Sequence, residues 1–147
     1  NKSNKNQGIH TIFGQHSGVI DLTKNHFELP RFPINEKYGD LKRFEFIIEL
    51  FPIAYVDLKP YEKFIAKDKN PPTVKVEFFK DQKNIKNINC FSNEGDKWRN
   101  SIMKFQENVL IINFSEKFTF RRGRINCSLK DGDNWRWLGI QFSVEVN

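Results

Sequence analysis

The sequence predicts a mainly β protein: an antiparallel β-sandwich over residues 61–147, preceded by a mixed segment over 1–60. Three observations carry this. Beyond residue 60 the apolar pattern takes a period of two, as in Val74, Val76 and Phe78 alternating with Lys75, Glu77 and Phe79. Turn signals recur between the apolar runs, at Asn70-Pro71-Pro72, Asn93-Glu94-Gly95-Asp96 and Asp131-Gly132-Asp133-Asn134. A chain of 147 residues with 15 Phe also has ample material for one core.

The elements follow in order. Asn1 to Gly8 is polar and aperiodic and is expected to be a frayed end or a cut linker. Ile9–Phe13 reads as a short strand, running into a loop, Gly14-Gln15-His16-Ser17-Gly18, with Val19–Leu22 as a second short strand or turn. Leu29–Ile34 holds two prolines, which exclude it from a central ladder. Tyr38–Phe51 predicts a helix. Leu41, Phe44, Ile47, Ile48 and Phe51 share one face, Asp40 is the N-cap and Pro52 is the stop. The remaining strands are expected at Val74–Phe79, Ile85–Phe91, Ser101–Phe105, Val109–Phe114, Arg122–Leu129 and Trp135–Val146. In the last, Leu138, Ile140, Phe142, Val144 and Val146 share a face.

Charge narrows the partners. The net charge is +6, but 24 basic and 18 acidic residues are interleaved, and only Arg121, Arg122 and Arg124 cluster. No nucleic-acid partner is expected from that distribution. No apolar run approaches the roughly 20 residues of a membrane helix. There is no signal peptide and residue 1 is not Met, so the chain reads as a processed product or an excised piece.

Few residues offer chemistry. His10 lies in an apolar run and is expected to be a buried or edge histidine. His26, beside Phe27, is expected to be solvated, and neither has the spacing of a metal ligand. His16 sits between two glycines after a strand, where a backbone can approach a ligand. It reads either as a site residue or as a loop histidine bonded to its own turn. No Gly-x-Ser-x-Gly elbow or phosphate-binding glycine loop is present, and two cysteines exclude a four-thiolate zinc ribbon. The carboxylates Glu36, Asp40, Glu45 and Glu49 mix with Lys37, Lys42 and Arg43 as a solvated face. Cys90 and Cys127, in matching Ile-Asn-Cys settings, are either a disulfide between strands or two buried thiols; the disulfide is the expected state. Trp98, Trp135 and Trp137 are candidates for a sugar-stacking platform. Trp135 and Trp137 fall on the face opposite Leu138 and Ile140, so they point away from the core, toward an inter-domain contact or a glycan.

Several stretches recur in one order: Phe13-Gly14-Gln15-His16-Ser17-Gly18, Leu29-Pro30-Arg31-Phe32-Pro33-Ile34-Asn35-Glu36-Lys37-Tyr38-Gly39, Asn70-Pro71-Pro72, Asn89-Cys90-Phe91, Gly123 through Leu129 and Trp135 through Phe142. In these the chain resembles the C-terminal part of bacterial NodB-type polysaccharide deacetylases, a carbohydrate esterase family. The resemblance implies a distorted (β/α) barrel that removes acetyl groups from a polysaccharide. An Asp and two His of a His-x-x-x-His motif would hold zinc or another divalent metal, with a neighbouring Asp as base. Neither Thr-Phe-Asp-Asp nor His-x-x-x-His occurs in this chain. By resemblance, then, residues 1–35 are the last barrel strands, a connecting helix completes the 1–60 remnant, and 61–147 is a β-sandwich accessory domain. No cofactor is expected in this chain, and the catalytic metal is expected upstream. Gln15, His16 and Arg31 would lie near the barrel rim, contacting glycan or assisting the oxyanion. The expected partners are polysaccharide and the upstream barrel, in a periplasmic or secreted setting, and the chain alone is expected to be inactive. The alternative is a stand-alone carbohydrate-binding or envelope interaction module.

Overall fold

The computed structural model describes residues 8–146, so the expectation for residues 1–7 lies outside the described residues. Among the described residues ten strands form two sheets. The first orders β1 (Phe51–Pro52), β10 (Asn134–Val144), β9 (Arg122–Asp131), β5 (Asn89–Glu94) and β6 (Lys97–Asn100), with β3 (Phe64–Ile65) also pairing with β10. The second orders β2 (Asp57–Lys59), β4 (Val74–Glu77), β8 (Val109–Asn113) and β7 (Ile102–Gln106). The sheets share one core, in which Val74, Val76, Phe78, Leu110 and Ile112 from the second sheet pack with Ile125, Leu129, Ile140 and Phe142 from the first. This is the predicted sandwich, and the period-two runs supply its inner faces.

Local chemistry explains the ladder. The β5–β6 and β9–β10 hairpins each close through a two-residue Gly-Asp loop, with Gly95 at φ +57° and Gly132 at φ +63°. Only glycine takes these angles without steric cost. Cys90 and Cys127 lie directly opposite each other on β5 and β9 and form the disulfide. At the far end of β5, Glu94 is 3% exposed yet charged, because the amides of Thr119 and Phe120 donate to Oε2 at 2.7 and 3.2 Å and Arg99 pairs with Oε1. Burial pushes this carboxyl up, but those amide donors and the guanidinium outweigh burial and hold it below the usual range.

Several boundaries differ from expectation. Residues 85–87 form a 3-10 turn, and the strand there starts only at Asn89. Ile9–Phe13 is not a strand; Phe13 makes a single parallel bridge to Leu29. Residues 19–21 are irregular and a turn follows at Leu22. The strands β1 and β2 weave residues 51–59 into the two sheets, and β1 and β3 pair with β10 in parallel. Strands of two or three residues carry too few side chains to display a period.

The helix α1 spans Leu41–Ile48, shorter than predicted. Asp40 caps it as expected, accepting from the Arg43 amide at 2.9 Å. It ends at Glu49, and Pro52 sits in β1 rather than stopping the helix. Its apolar stripe stays largely uncovered, with Leu41 69% and Ile48 63% exposed. Helical periodicity marks an amphipathic helix but does not say what lies against it.

Candidate functional site

Opposite residues of an antiparallel ladder share a face, so register determines which side chains meet. Leu138, Cys127 and Cys90 form one inward row. The rows between point outward. One reads Gln141, Arg124, Asn93 and Trp98 across β10, β9, β5 and β6, and the next reads Gly139, Asn126, Phe91 and Asn100. Trp137 opposes Ser128 in a third.

The segment before the sandwich lies across this outward face. A Cβ at Gly139 would sit 1.6 Å from the Ser17 carbonyl oxygen, so the bare glycine is what lets residues 17–18 rest on β10. Phe32 meets Trp137 edge-on at 5.9 Å, and Phe46 of α1 meets Trp135 at 6.4 Å. Both tryptophans therefore point away from the core, Trp137 half-buried under the chain's own preceding segment and Trp135 touched by it at one edge but still 40% exposed.

Between the outward face and this overlying segment runs a cleft of about 570 Å³. Its floor carries Asn93, Asn126, Arg124, Trp98 and Trp137, and its far wall includes Tyr38 and Arg43. Asn126 is only 7% exposed, and its side-chain amide makes no hydrogen bond among the described residues. Asn93 directs its amide N–H groups to the Gly95 and Lys97 carbonyls at 3.3 and 3.2 Å, which leaves Oδ1 as an acceptor. Arg124 donates from Nε to Gln141 at 3.5 Å. Arg43 ties the far wall together by donating to the Pro33 and Tyr38 carbonyls at 3.0 and 2.7 Å.

The sequence-predicted residues divide. Gln15 lines this cleft and accepts from the Arg122 guanidinium. Arg31 is exposed and donates from Nε to the Gly14 carbonyl at 3.1 Å. His16 turns the other way, into a small cavity of about 70 Å³ that it shares with Leu29, Tyr55 and Trp137. There it is 7% exposed, and its pKa falls to about 4, first through burial and then through the nearby positive charge of Lys63. Among the described residues its ring makes no hydrogen bond to its own turn. His10 is exposed rather than buried, because residues 9–12 form no strand that could enclose it. His26 is exposed, with Nε2 2.8 Å from the Leu22 carbonyl oxygen.

Asn93, Arg124 and Asn126 were not singled out in the sequence. For Arg124 and Asn126 the signal existed, since they alternate with core-facing Ile125 and Cys127. For Asn93 it did not, because Asn93 was read as the start of a turn rather than the end of β5; Trp98 was already a stacking candidate. Among the described residues no three His, Cys, Asp or Glu side chains stand together as a metal ligand set. No helix among them is long and apolar enough to cross a membrane.

Fold and site together define a disulfide-linked β-sandwich with an aromatic and amide-lined cleft under its leading segment. No protein-family model and no curated protein matches the chain. Among solved structures, the selenomethionine form of PcoC, a copper resistance protein from Escherichia coli, is similar over 65% of this chain and 100% of that one, at 9% identity and a TM-score of 0.40. A likeness at that level assigns neither a family nor a ligand.

Proposed function

We propose that this chain is the C-terminal part of a polysaccharide deacetylase, in which the sandwich supports the enzyme or guides a bacterial glycan, while a preceding (β/α) barrel removes the acetyl groups. The observation that carries the reading is the parallel pairing of two extended segments near the start. The Gly14 amide donates to the Leu29 carbonyl at 2.7 Å, Leu29 to Ile12 at 2.9 Å, and Arg31 to His16 at 3.0 Å. Parallel neighbours are the pairing from which such barrels are built; here the pairing is a single bridge and its connection, residues 14–28, holds turns in place of a helix. Phe13, Ile20 and Leu22, with Leu41 and Ile48 of α1, leave apolar surface that the sandwich does not cover, which suits packing against further barrel strands and helices.

The zinc or other divalent metal of such an enzyme finds no ligand set among the residues described here: His10 and His26 are exposed and apart, and His16 is enclosed on another side. When bound upstream, the metal would activate water toward the acetyl carbonyl. This chain's own residues would position and support. The disulfide suits an oxidising compartment, in keeping with a periplasmic or secreted enzyme. The test is an acetate-release assay on an acetylated glycan with added zinc. This chain alone is expected to show none, and a longer protein carrying the barrel to turn over. Zinc-dependent turnover by this chain alone overturns the proposal.

A further inference from the structure

We infer that the cleft between the outward sheet face and α1 binds a short stretch of pyranose chain, with Trp98 as the stacking ring and Asn126 as the central polar contact. The choice of a glycan rests on the reading above; the location and chemistry come from the cleft. A sugar ring presents an apolar C–H face bordered by hydroxyl groups. It therefore calls for an aromatic plane beside planar donors and acceptors. Trp98 is 59% exposed at the cleft, with Tyr38 across from it. Asn126 offers both an amide donor and a carbonyl acceptor from a side chain that lines the cleft and is 7% exposed. Its amide is not among the buried polar atoms left without a partner, so it is reached from the cleft and is free to meet a ligand's hydroxyl groups. Asn93 Oδ1 adds an acceptor, and the guanidinium of Arg124, bonded only through Nε, adds a fork of N–H donors. Trp137, at the same floor, has an indole N–H that is buried without a partner.

Size favours a glycan over a folded protein partner. A volume of about 570 Å³ lies within the range of small-ligand sites. The mixture of rings, amides and guanidinium, with one exposed carboxylate, Asp96, paired at 3.7 Å to Lys37, differs from the apolar groove a helix would seek. The positive groups Arg43 and Arg124 leave open whether the chain is neutral or acidic, and the probes separate these.

The experiment titrates this chain with a tetramer of N-acetylglucosamine and, separately, a tetramer of mannuronate, read by calorimetry and by amide and indole N–H chemical shifts. At least one probe is expected to bind, with shifts centred on Trp98, Asn93 and Asn126. Trp98→Ala is expected to weaken that binding about tenfold or more, and Asn126→Ala several-fold. Trp98 is exposed and Asn126 makes no hydrogen bond, so both variants are expected to keep the parent's melting temperature; the chemical-shift map needs no variant. Binding of the mannuronate tetramer alone assigns an acidic chain through Arg124; binding of the N-acetylglucosamine tetramer assigns a neutral amino sugar. Failure of both probes overturns the inference, as does binding whose shifts avoid these residues or survives both substitutions. The titration reads binding and not acetate release. A null result here therefore leaves the deacetylase reading standing, and failure of that reading leaves this binding intact.

Discussion

Removing the imidazole of His16 should flatten the acid side of the stability profile. The ring is 7% exposed, closed in by Gly14, where a Cβ would lie 2.7 Å from Nδ1, and by a cavity wall of Leu29, Tyr55 and Trp137. Asp21, Lys24 and Glu28 line the same cavity, and Lys63 adds positive charge. The folded pKa is lowered from 6.5 to about 4, with burial the first cause and Lys63 the second. Between those values the unfolded chain binds a proton that the folded chain refuses. Stability therefore rises with pH in this window. The contribution is fully present above pH 6.5 and is lost as pH falls toward 4. At about 1.4 kcal/mol for each pH unit, the whole window is worth about 3 kcal/mol. Carboxylates held below their usual range, such as Glu94, lose their contribution only below the unfolded carboxylate pKa of about 4.3, so the span from pH 6.5 to 4.5 belongs to the histidine. The assay is urea unfolding of the parent and of His16→Gln at half-unit steps from pH 7.5 to 4.5. The parent should lose about 2–3 kcal/mol across the span and the variant much less. Equal slopes in the two proteins refute the reasoning, whatever their absolute stabilities.

Three further outcomes are expected. Reducing the disulfide, or making the Cys90→Ala, Cys127→Ala double variant, reopens a span of 37 residues and should lower stability by about 3–4 kcal/mol, seen as a shift in the denaturant midpoint. Gly139→Ala forces a methyl against the Ser17 carbonyl, so residues 14–18 should lift from β10; protease cleavage near Ser17 should quicken, with a loss of about 1–3 kcal/mol. Glu94→Ala leaves the Arg99 guanidinium, 10% exposed, with only the longer contacts to Glu116 at 3.5 Å and the Lys117 carbonyl at 3.4 Å, and removes the acceptor for the Thr119 and Phe120 amides. Its cost should be about 2–3 kcal/mol by thermal unfolding, whereas Lys37→Ala at the exposed pair with Asp96 should change little.

The strand faces were legible because side-chain alternation is a local property. Val74, Val76 and Phe78 announce an inward face whatever pairs with them, and Leu138, Ile140 and Phe142 assign Trp135 and Trp137 to the outward one. Asp40 as the helix cap was readable for the same reason, since its acceptor reaches an amide only three residues away. The helix stop at Pro52 was misread because β10 offers that stretch a parallel partner, Phe51 opposite Arg136, which no nearby residue signals.

By itself, then, the chain's order of residues determined a β-sandwich core, its turns and the pairing expectation for Cys90 and Cys127. Only the tertiary structure decided that Trp98, Asn93, Arg124 and Asn126 line one cleft, that Ser17 lies against Gly139, and that the apolar stripe of α1 stays uncovered. The physical reason is distance along the chain. Periodicity and capping act over a few residues, whereas register across four strands is set by contacts between positions dozens of residues apart.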